Sequence, residues 1–448
     1  MKIFLKTTLL LLSIYSLISC SDDDIVNQSK DDETPISFDI PATEDMVMYE
    51  VNLRAMSNTG DFQGVIDKLD HIKSLGVNVI WLMPIYPIGE LKSVNSPYCV
   101  QNYTEVNPEF GTMNDFKELI DQAHTREMAV VIDWVANHTA WDNPWIANKS
   151  WYSQNGAGEI IIPPGTNWAD VADLNYNNTD MRQAMIDAMR FWVEDVNVDG
   201  FRCDAADMVP FDFWQQAISA LEKIEGHDLI YLAEGERKDH FDAGFQMNYG
   251  WEFYSGLKDV FIDGYTADLI NLTHLSEYRS LPGGAQKLRF TTNHDESAWD
   301  ATPINLFGAN GSIAAFVIST YLGGVPLIYS SQEVATQDNV SFFNNDPIDW
   351  SSNPAFLEKY QQILAVYTES PALRKGEIQN FEDLNIVVFK KIYNDEEILV
   401  MVNIRNRTRS LSIPEELQNS TWTDAISGNE ITLGTTLSFQ SYQYFVLK

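Results

Sequence analysis

Alternating strand and helix patterns over most of the chain predict an α/β protein built on a (β/α)8 TIM barrel with a C-terminal antiparallel β-sandwich. Three observations support the barrel: eight short apolar runs, helical patterns between them, and polar clusters where several runs end. The predicted strands are 47–51, 77–84, 128–133, 200–204, 229–234, about 245–247, 288–293 and 325–330. Several runs are apolar nearly throughout, as expected of parallel strands that are covered on both faces.

Apolar residues at helical spacing separate these strands. The first such pattern runs from Phe62 to Leu75, and Gly76 is suited to end that helix. Further helices are predicted over 113–126, 180–195 and 211–224. This order of strands and helices is typical of a parallel barrel whose helices form an outer ring.

Two stretches depart from the alternation. The segment 139–175 has little helical pattern and carries four tryptophans, Trp141, Trp145, Trp151 and Trp168. It is predicted to be a short subdomain inserted after the third strand, above the mouth of the barrel. After about residue 371 short strand patterns replace helices, which predicts the sandwich. We therefore expect the barrel to comprise 44–138 and 176–370, and the sandwich to comprise 371–448.

The N-terminus has the pattern of a secretion signal. Lys2 and Lys6 precede an apolar run that ends at Cys20 and is too short to span a membrane. The run resembles a bacterial lipoprotein signal, so 1–19 are expected to be a signal peptide and 20–43 a flexible acidic tether. The acidic residues after Cys20 resemble the tag on surface lipoproteins of Bacteroidetes-type bacteria. The expected location is the outer membrane, lipid-anchored and facing outwards.

The charge of the chain argues against two classes of partner. The formal net charge is −35, with 64 acidic and 29 basic residues, which disfavours nucleic acid and anionic membrane surfaces. Contact with a membrane is therefore expected only through a lipid anchor at Cys20. Three cysteines are too few for a disulfide framework, and no Cys/His spacing suggests zinc.

Polar residues cluster at the ends of four predicted strands. Arg202 and Asp204 are two apart, so in a strand they share a face, where charges are costly unless paired or used. If Arg202 and Asp204 are considered without the other clusters, a structural ion pair explains them equally well. The other clusters are Asp133-Trp-Val-Ala-Asn-His, Leu232-Ala-Glu and Thr292-Asn-His-Asp. Four such strand ends indicate one carboxylate-lined cleft, and glycoside hydrolysis is a reaction that needs two opposed carboxyl groups.

These clusters resemble the motifs of the α-amylase family of glycoside hydrolases (family 13), and the resemblance covers 46–448. The matching segments are Asp133-x-Val-x-Asn-His138, Gly200-Phe-Arg-x-Asp-Ala205, Ala233-Glu234, Asn293-His-Asp295, Asp173-Leu-Asn175 and Pro97-Tyr98 with 107–112. The resemblance implies that Asp204 is the nucleophile, Glu234 the general acid and base, and Asp295 a stabiliser of the transition state. Arg202 would keep Asp204 ionised, while Glu234, in a drier setting, would stay protonated.

The resemblance also implies the residues that contact substrate or a metal ion. The substrate-binding residues would be Tyr98, stacked beneath the ring at the cleavage point, with His138, Arg202 and His294. A lone histidine is more often structural, but both histidines lie inside the motifs. Asn137 would contribute to a calcium site, whose other ligands the sequence leaves open, and no further cofactor is expected.

Three positions depart from the family pattern. Many members carry Lys and His three and four places after the nucleophile, where this chain has Asp207 and Met208. Contacts to the leaving-group side of the substrate must therefore differ. Asn102 stands where a barrel-bracing Asp is common.

The leading hypothesis is a retaining α-glucan hydrolase that cleaves α-1,4 links in starch, glycogen or maltooligosaccharides. An alternative is a neopullulanase-like or cyclomaltodextrinase-like enzyme, or an α-glucan transglycosylase. A more remote alternative is a non-catalytic glycan-binding surface lipoprotein, which the presence of all three acids disfavours. The expected partners are an α-glucan and, at the cell surface, a glycan-uptake complex.

The predicted lipid anchor can be tested by changing Cys20 to Ala. Because the acyl chain would be attached to this thiol, C20A should appear as unprocessed or soluble protein, whereas the wild type should incorporate an acyl-chain probe. Absence of the probe from the wild-type protein would exclude the anchor.

Overall fold

The structure is a computed structural model that describes residues 38–448. The predicted signal peptide, Cys20 and most of the predicted tether lie outside the described residues. Within residues 38–448, no helix combines the length and apolar character needed to cross a membrane.

Eight parallel strands close into a barrel, which confirms the predicted fold class. The first ten strands of the chain are β1 (Met48–Val51), β2 (Val79–Leu82), β3 (Ala129–Trp134), β4 (His138–Ala140), β5 (Val171–Asp173), β6 (Gly200–Cys203), β7 (Ile230–Ala233), β8 (Met247–Tyr249), β9 (Gln286–Arg289) and β10 (Val325–Tyr329). All but β4 and β5 belong to the barrel, and each pairs with the next in chain order. Pairing of β1 with β10 closes the circle.

Helices surround the barrel. They are α1 (Leu53–Met56), α2 (Phe62–Ile66), α3 (Leu69–Ser74), α4 (Met113–Thr125), α5 (Thr179–Glu194), α6 (Phe211–Leu221), α7 (Asp239–Ala243), α8 (Trp251–Phe261), α9 (Asp268–Tyr278), α10 (His294–Trp299), α11 (Pro303–Phe307), α12 (Ala309–Tyr321), α13 (Pro354–Glu369) and α14 (Pro371–Lys375). Short 3₁₀ turns lie at Thr43–Asp45, Pro144–Ala147, Lys149–Trp151, Ala206–Met208, Gln332–Val334 and Glu415–Leu417.

Most predicted helices are confirmed to within a few residues, but the first one is not continuous. The pattern from Phe62 to Leu75 is divided between α2 and α3. The Lys68 N–H donates to the Val65 carbonyl, a shorter span than the helical bond, so the chain tightens there. The apolar residues keep their helical spacing across this break because α2 and α3 bury the same side against the barrel.

The inserted segment and the C-terminal region form antiparallel sheets. β4 and β5 pair with each other between β3 and α5. The C-terminal strands are β11 (Glu377–Phe381), β12 (Ile386–Tyr393), β13 (Glu396–Asn403), β14 (Arg409–Ser412), β15 (Ser420–Thr423), β16 (Glu430–Leu433), β17 (Thr436–Phe439) and β18 (Tyr444–Leu447). They form a four-stranded sheet, β11-β12-β13-β18, and the pairs β14–β17 and β15–β16. The first C-terminal strand, β11, begins only after the short helix α14.

The barrel interior has an apolar lower part and a charged upper part. Met48, Val79 and Val131 belong to the apolar cluster that fills the interior. Side chains two apart on a strand share a face, so Glu50 follows Met48 inwards and Asp133 follows Val131. Both carboxyl groups are fully buried. The charged layer therefore lies at the carboxyl ends of the strands, where barrels of this type carry their sites.

Gly200 starts β6 at a place where no side chain fits. Its φ of +152° is one that L side chains rarely adopt, and a Cβ there would lie 2.0 Å from the Ile230 carbonyl oxygen of β7. Because that oxygen is backbone, the clash cannot be relieved by rotating a side chain. Glycine at this position permits the close pairing of β6 with β7, which places Arg202 beside the end of β7.

A Gly200→Ala substitution should therefore destabilise the barrel, by at least ~3 kcal/mol in the free energy of unfolding. Denaturant unfolding of the purified protein measures this. Gly434→Ala is the matched control, because a Cβ there meets nothing within 4 Å. Equal stability of the two variants would contradict the close β6–β7 approach.

Candidate active site

Arg202 is the centre of the charged layer and is fully buried. Its Nη1 donates to Asp133 Oδ1 and to Asp204 Oδ1, both at 2.9 Å. Its Nη2 lies 2.9 Å from Glu234 Oε1, at ion-pair distance but off the direction of a hydrogen bond. Its Nε donates to the Tyr249 hydroxyl at 3.2 Å. One guanidinium thus connects the ends of β3, β6, β7 and β8, and brings the predicted nucleophile and acid together.

Asp133 pairs with Arg202 as a structural group, and its carboxylate is already occupied by protein donors. The Trp81 indole N–H and the Tyr98 hydroxyl each donate to Asp133 Oδ2 at 3.1 Å. The Arg202 guanidinium also lies 4.8 Å from the centre of the Trp81 ring, a cation–π distance. With these donors in place the Asp133 carboxylate is fully satisfied, and it fixes both Arg202 and the partly buried Tyr98.

A second charged cluster surrounds His294. Its Nδ1 lies 2.5 Å from Glu50 Oε1, and its Nε2 lies 2.8 Å from the Tyr98 hydroxyl and 3.5 Å from Asp295 Oδ2. The rings of Tyr98 and His294 stack at 5.3 Å with 20° between their planes. Tyr98 therefore joins this cluster to that of Arg202, and the three predicted acids converge at one end of the barrel.

Sequence reasoning missed Glu50, Trp81 and Tyr249. The signal for Glu50 was present, because it is an acid within the apolar run 47–51, just as Arg202 is a base within an apolar run. Trp81 and Tyr249 carried no comparable signal, since an aromatic residue in an apolar strand is ordinarily core.

His294 is charged at neutral pH. Burial by itself lowers the pKa of this imidazole, but the carboxylates of Asp295 and Glu50 outweigh burial and raise the pKa to about 9. Burial in turn raises the pKa of Glu50, and the charged His294 opposes that rise. The charged imidazole of His294 therefore lies beside Asp295 and beneath Tyr98, where Glu50 holds it in place.

The expectation that Arg202 keeps Asp204 ionised is wrong for the free protein. Burial and the neighbouring Glu234 carboxylate raise the pKa of Asp204 well above its usual range, against the attraction of Arg202. The reason is that Arg202 faces three carboxyl groups, Asp133 included, and one positive charge cannot offset three negative ones. The Asp204 carboxyl group therefore retains its proton more readily in the free protein than an ordinary aspartate does.

His138 is buried and bonded to protein on both ring nitrogens. Its Nε2 lies 3.2 Å from the Tyr98 carbonyl oxygen and its Nδ1 lies 3.3 Å from the Asn137 amide nitrogen. Burial lowers the pKa of His138 to about 4, so the ring is neutral, with the Nε2–H donating and Nδ1 accepting. A contact of His138 with substrate stays a prediction.

Of the four subdomain tryptophans, Trp168 lies against the site. Its ring centre is 5.5 Å from that of His138, and the residue is exposed. Trp145 and Trp151 pack against each other, and Lys92 covers the ring of Trp141. Of the four tryptophans, Trp168 is therefore the one whose ring contacts a predicted substrate-binding residue.

The surroundings of Asn137 do not supply a recognisable calcium cage. Its side-chain amide nitrogen contacts His138, and its backbone carbonyl oxygen accepts from the Leu174 N–H. Nowhere in residues 38–448 do three His, Cys, Asp or Glu side chains come together as metal ligands. Calcium binding stays a prediction, and no step proposed below depends on it.

Asp207 anchors the loop that follows Glu234. Its carboxylate accepts from the backbone N–H of Glu236 at 3.1 Å and of Arg237 at 3.3 Å, and lies 3.3 Å from His240 Nε2. The Asp207 carboxylate thus binds backbone N–H groups of its own chain. Met208 beside it is exposed, and Asn102 accepts locally from the Thr104 N–H.

The charge on His294 predicts a pH dependence of stability. The folded-state pKa of about 9 exceeds the ordinary 6.5, so the stabilisation is complete below about pH 6.5 and is lost as pH rises through 9. Wild-type protein should lose on the order of 3 kcal/mol over that range relative to His294→Gln. Urea unfolding at pH 6 and pH 9.5 measures this difference. His227→Gln, outside the site, should behave as wild type; the same loss in all three proteins would contradict the assignment.

Comparison with known proteins gives the family of the chain. The family model for the alpha-amylase catalytic domain matches residues 28–159 and 165–264. The chain is 24% identical over 453 residues to Alpha-amylase 3 of Dictyoglomus thermophilum, covering 85% of this chain and 89% of that protein. It is 26% identical over 418 residues to Alpha-amylase MalA of Haloarcula japonica, covering 87% of this chain and 60% of that protein.

Solved structures agree with this relationship. An alpha-amylase from Lactobacillus plantarum has a TM-score of 0.81 at 26% identity, over 91% of this chain and 99% of that one. The motifs, the barrel and the family match lead to one conclusion: this chain belongs to the α-amylase family of glycoside hydrolases.

Proposed function

We propose that this chain is a retaining α-glucan hydrolase that cleaves α-1,4-glucosidic links in starch, glycogen or maltooligosaccharides. The observation that carries the proposal is the placement of Asp204 and Glu234 against the two terminal nitrogens of one buried guanidinium, that of Arg202. Double displacement requires two neighbouring carboxyl groups, because one attacks the anomeric carbon and the other donates a proton to the leaving group.

In the first step, Glu234 donates its proton to the glycosidic oxygen while the Asp204 carboxylate attacks the anomeric carbon. The bond to the leaving glucan breaks and a covalent glycosyl-enzyme forms. Because the pKa of Asp204 is raised in the free protein, this carboxyl group must lose its proton before it can attack. The Ala205 N–H donates to Glu234 Oε2 at 2.7 Å and so fixes the orientation of the acid.

In the second step, the ionised Glu234 accepts a proton from water, and the resulting nucleophile attacks the same carbon. The bond to Asp204 breaks, and two inversions leave the α configuration unchanged. Asp295 lies beside the charged His294 and is partly exposed, so it remains available to sugar hydroxyls. Hydrogen bonds of this kind accelerate the reaction when they strengthen in the transition state.

The proposal includes a location at the cell surface. The lipoprotein-like signal that ends at Cys20 and the net charge of −35 support a protein that works outside the cell on an uncharged polymer. Its partners would be the α-glucan itself and a glycan-uptake complex on the same membrane.

Asp207 and Met208 favour a second candidate. The usual basic residue on the leaving-group side is absent, and Asp207 braces its own loop. A neopullulanase-like or cyclomaltodextrinase-like enzyme, or a transglycosylase that transfers the glycosyl group to a second sugar, would share the same catalytic pair. Products formed from starch, pullulan and a cyclodextrin separate these candidates.

The catalytic assignment predicts different responses from two substitutions. Asp204→Asn should abolish turnover, because the amide cannot attack. Glu234→Gln should slow hydrolysis of maltooligosaccharides by about 10²–10⁴-fold, yet spare the first step with an α-glucosyl fluoride, whose leaving group needs no proton. Rates on both substrates, with circular dichroism to verify folding, measure this.

Glu236→Gln is the matched control, since this carboxyl lies two residues from Glu234 and contacts the Glu252 N–H instead of Arg202. It should keep nearly wild-type rates. Proton NMR of the first-formed product should show the α-anomer. A β-anomer at early times would exclude Asp204 as the nucleophile.

A further inference from the structure

Trp299 has the most exposed large hydrophobic side chain among residues 38–448, with 69% of its surface accessible. Single exposed apolar residues are common and need no function. Trp299, however, is part of an ordered aromatic group. Its ring centre lies 6.1 Å from that of Phe342 and 5.5 Å from that of Phe343, both nearly perpendicular to it. Phe342 and Phe343 stack on each other at 4.4 Å.

The position of Trp299 on its helix aligns it with a catalytic residue. α10 begins at His294 and ends at Trp299, so Asp295 and Trp299 are four residues apart. Side chains at this spacing lie on the same helix face, about one turn of 5.4 Å apart. The exposed indole therefore stands one helical turn beyond the carboxylate that faces the cleavage point.

Aromatic contacts also link the indole to the cleavage point. Phe342 lies 5.6 Å from the His294 ring and 6.1 Å from the Tyr98 ring. Trp299 also contacts Phe342, so its indole is one aromatic residue away from the rings of His294 and Tyr98. A sugar chain that extends from Tyr98 and Asp295 in this direction would reach the exposed indole of Trp299.

The loop behind Trp299 is fixed before any ligand binds. Arg54 Nη1 donates to the Phe342 carbonyl at 2.8 Å, and the Asn95 amide donates to the Phe343 carbonyl. Arg54 is buried and also makes a bidentate pair with Glu109 at 2.8 and 2.7 Å. Preorganisation of this kind lowers the entropy cost of binding. Because the residues that pack against Trp299 are held by these hydrogen bonds, Trp299 differs from an exposed residue on a mobile surface.

We propose that Trp299, backed by Phe342 and Phe343, forms an outer sugar-binding subsite that stacks on a glucose unit beyond the one held at Asp295. This inference rests on the proposed α-glucan substrate. A flat indole face is complementary to the apolar face of a pyranose ring, and Asp295 one turn away can accept from the hydroxyl groups of the preceding glucose unit. The subsite would give the enzyme a preference for longer chains.

Binding is measured in the Asp204→Asn protein, which cannot turn over substrate, by calorimetry with maltoheptaose and with maltose. Adding Trp299→Ala should weaken maltoheptaose binding about tenfold, equivalent to about 1.4 kcal/mol, and leave maltose binding nearly unchanged. Adding Trp299→Phe should restore most of the affinity, because a flat ring remains. Tyr265→Ala is the matched control, since Tyr265 is an exposed aromatic residue in the connection between α8 and α9. It should bind as the Asp204→Asn parent does.

The outcomes separate the subsite from the proposed function. Unchanged maltoheptaose binding by the Trp299→Ala protein, when the wild type hydrolyses maltoheptaose, would overturn the subsite alone. An equal loss for maltose and maltoheptaose would also overturn it, because Trp299 would then act at the cleavage point. A wild-type protein that neither binds nor cleaves maltoheptaose would overturn the proposed function as well.

Discussion

The buried guanidinium of Arg202 is the interaction on which the active end of the barrel depends. A charge without water is tolerated only when its partners are close and well oriented, and removing one partner of a buried pair typically costs about 3–5 kcal/mol. Arg202 has Asp133, Asp204 and the Tyr249 hydroxyl as hydrogen-bond acceptors, with Glu234 at ion-pair distance. Because these groups come from four different strands, the strand ends can adopt only one mutual arrangement.

The same network leaves an excess of negative charge, and the chemistry follows from that excess. Five carboxyl groups gather around two cations, Arg202 and His294; they are Glu50, Asp133, Asp204, Glu234 and Asp295. Burial and this imbalance together raise the pKa of Asp204. A site that retains a proton and still carries net negative charge suits a reaction that needs an acid and develops positive charge at carbon.

Sequence patterns predicted the barrel because strand and helix periods differ and because several of the short strand runs are apolar nearly throughout. They located Arg202, Asp204 and Glu234 because charged residues in apolar strands are conspicuous. They did not give the pKa of Asp204, which depends on how many carboxyl groups share one guanidinium in space. Nor did they give the contact of Glu50 with His294, since the two are 244 positions apart. Trp299 was also missed, because exposure cannot be read from an isolated tryptophan.

Trapping a glycosyl-enzyme is the most direct test of the proposed role of the Arg202-centred pair. A fluorinated α-glucosyl fluoride forms the covalent intermediate but slows its hydrolysis, so the adduct can accumulate on the wild-type protein. Intact-mass measurement should show the gain of one glycosyl group, and fragmentation of the digested protein should place it on Asp204. A covalent adduct on another residue, or rapid turnover of the reagent to a β-configured product with no adduct, would contradict the mechanism.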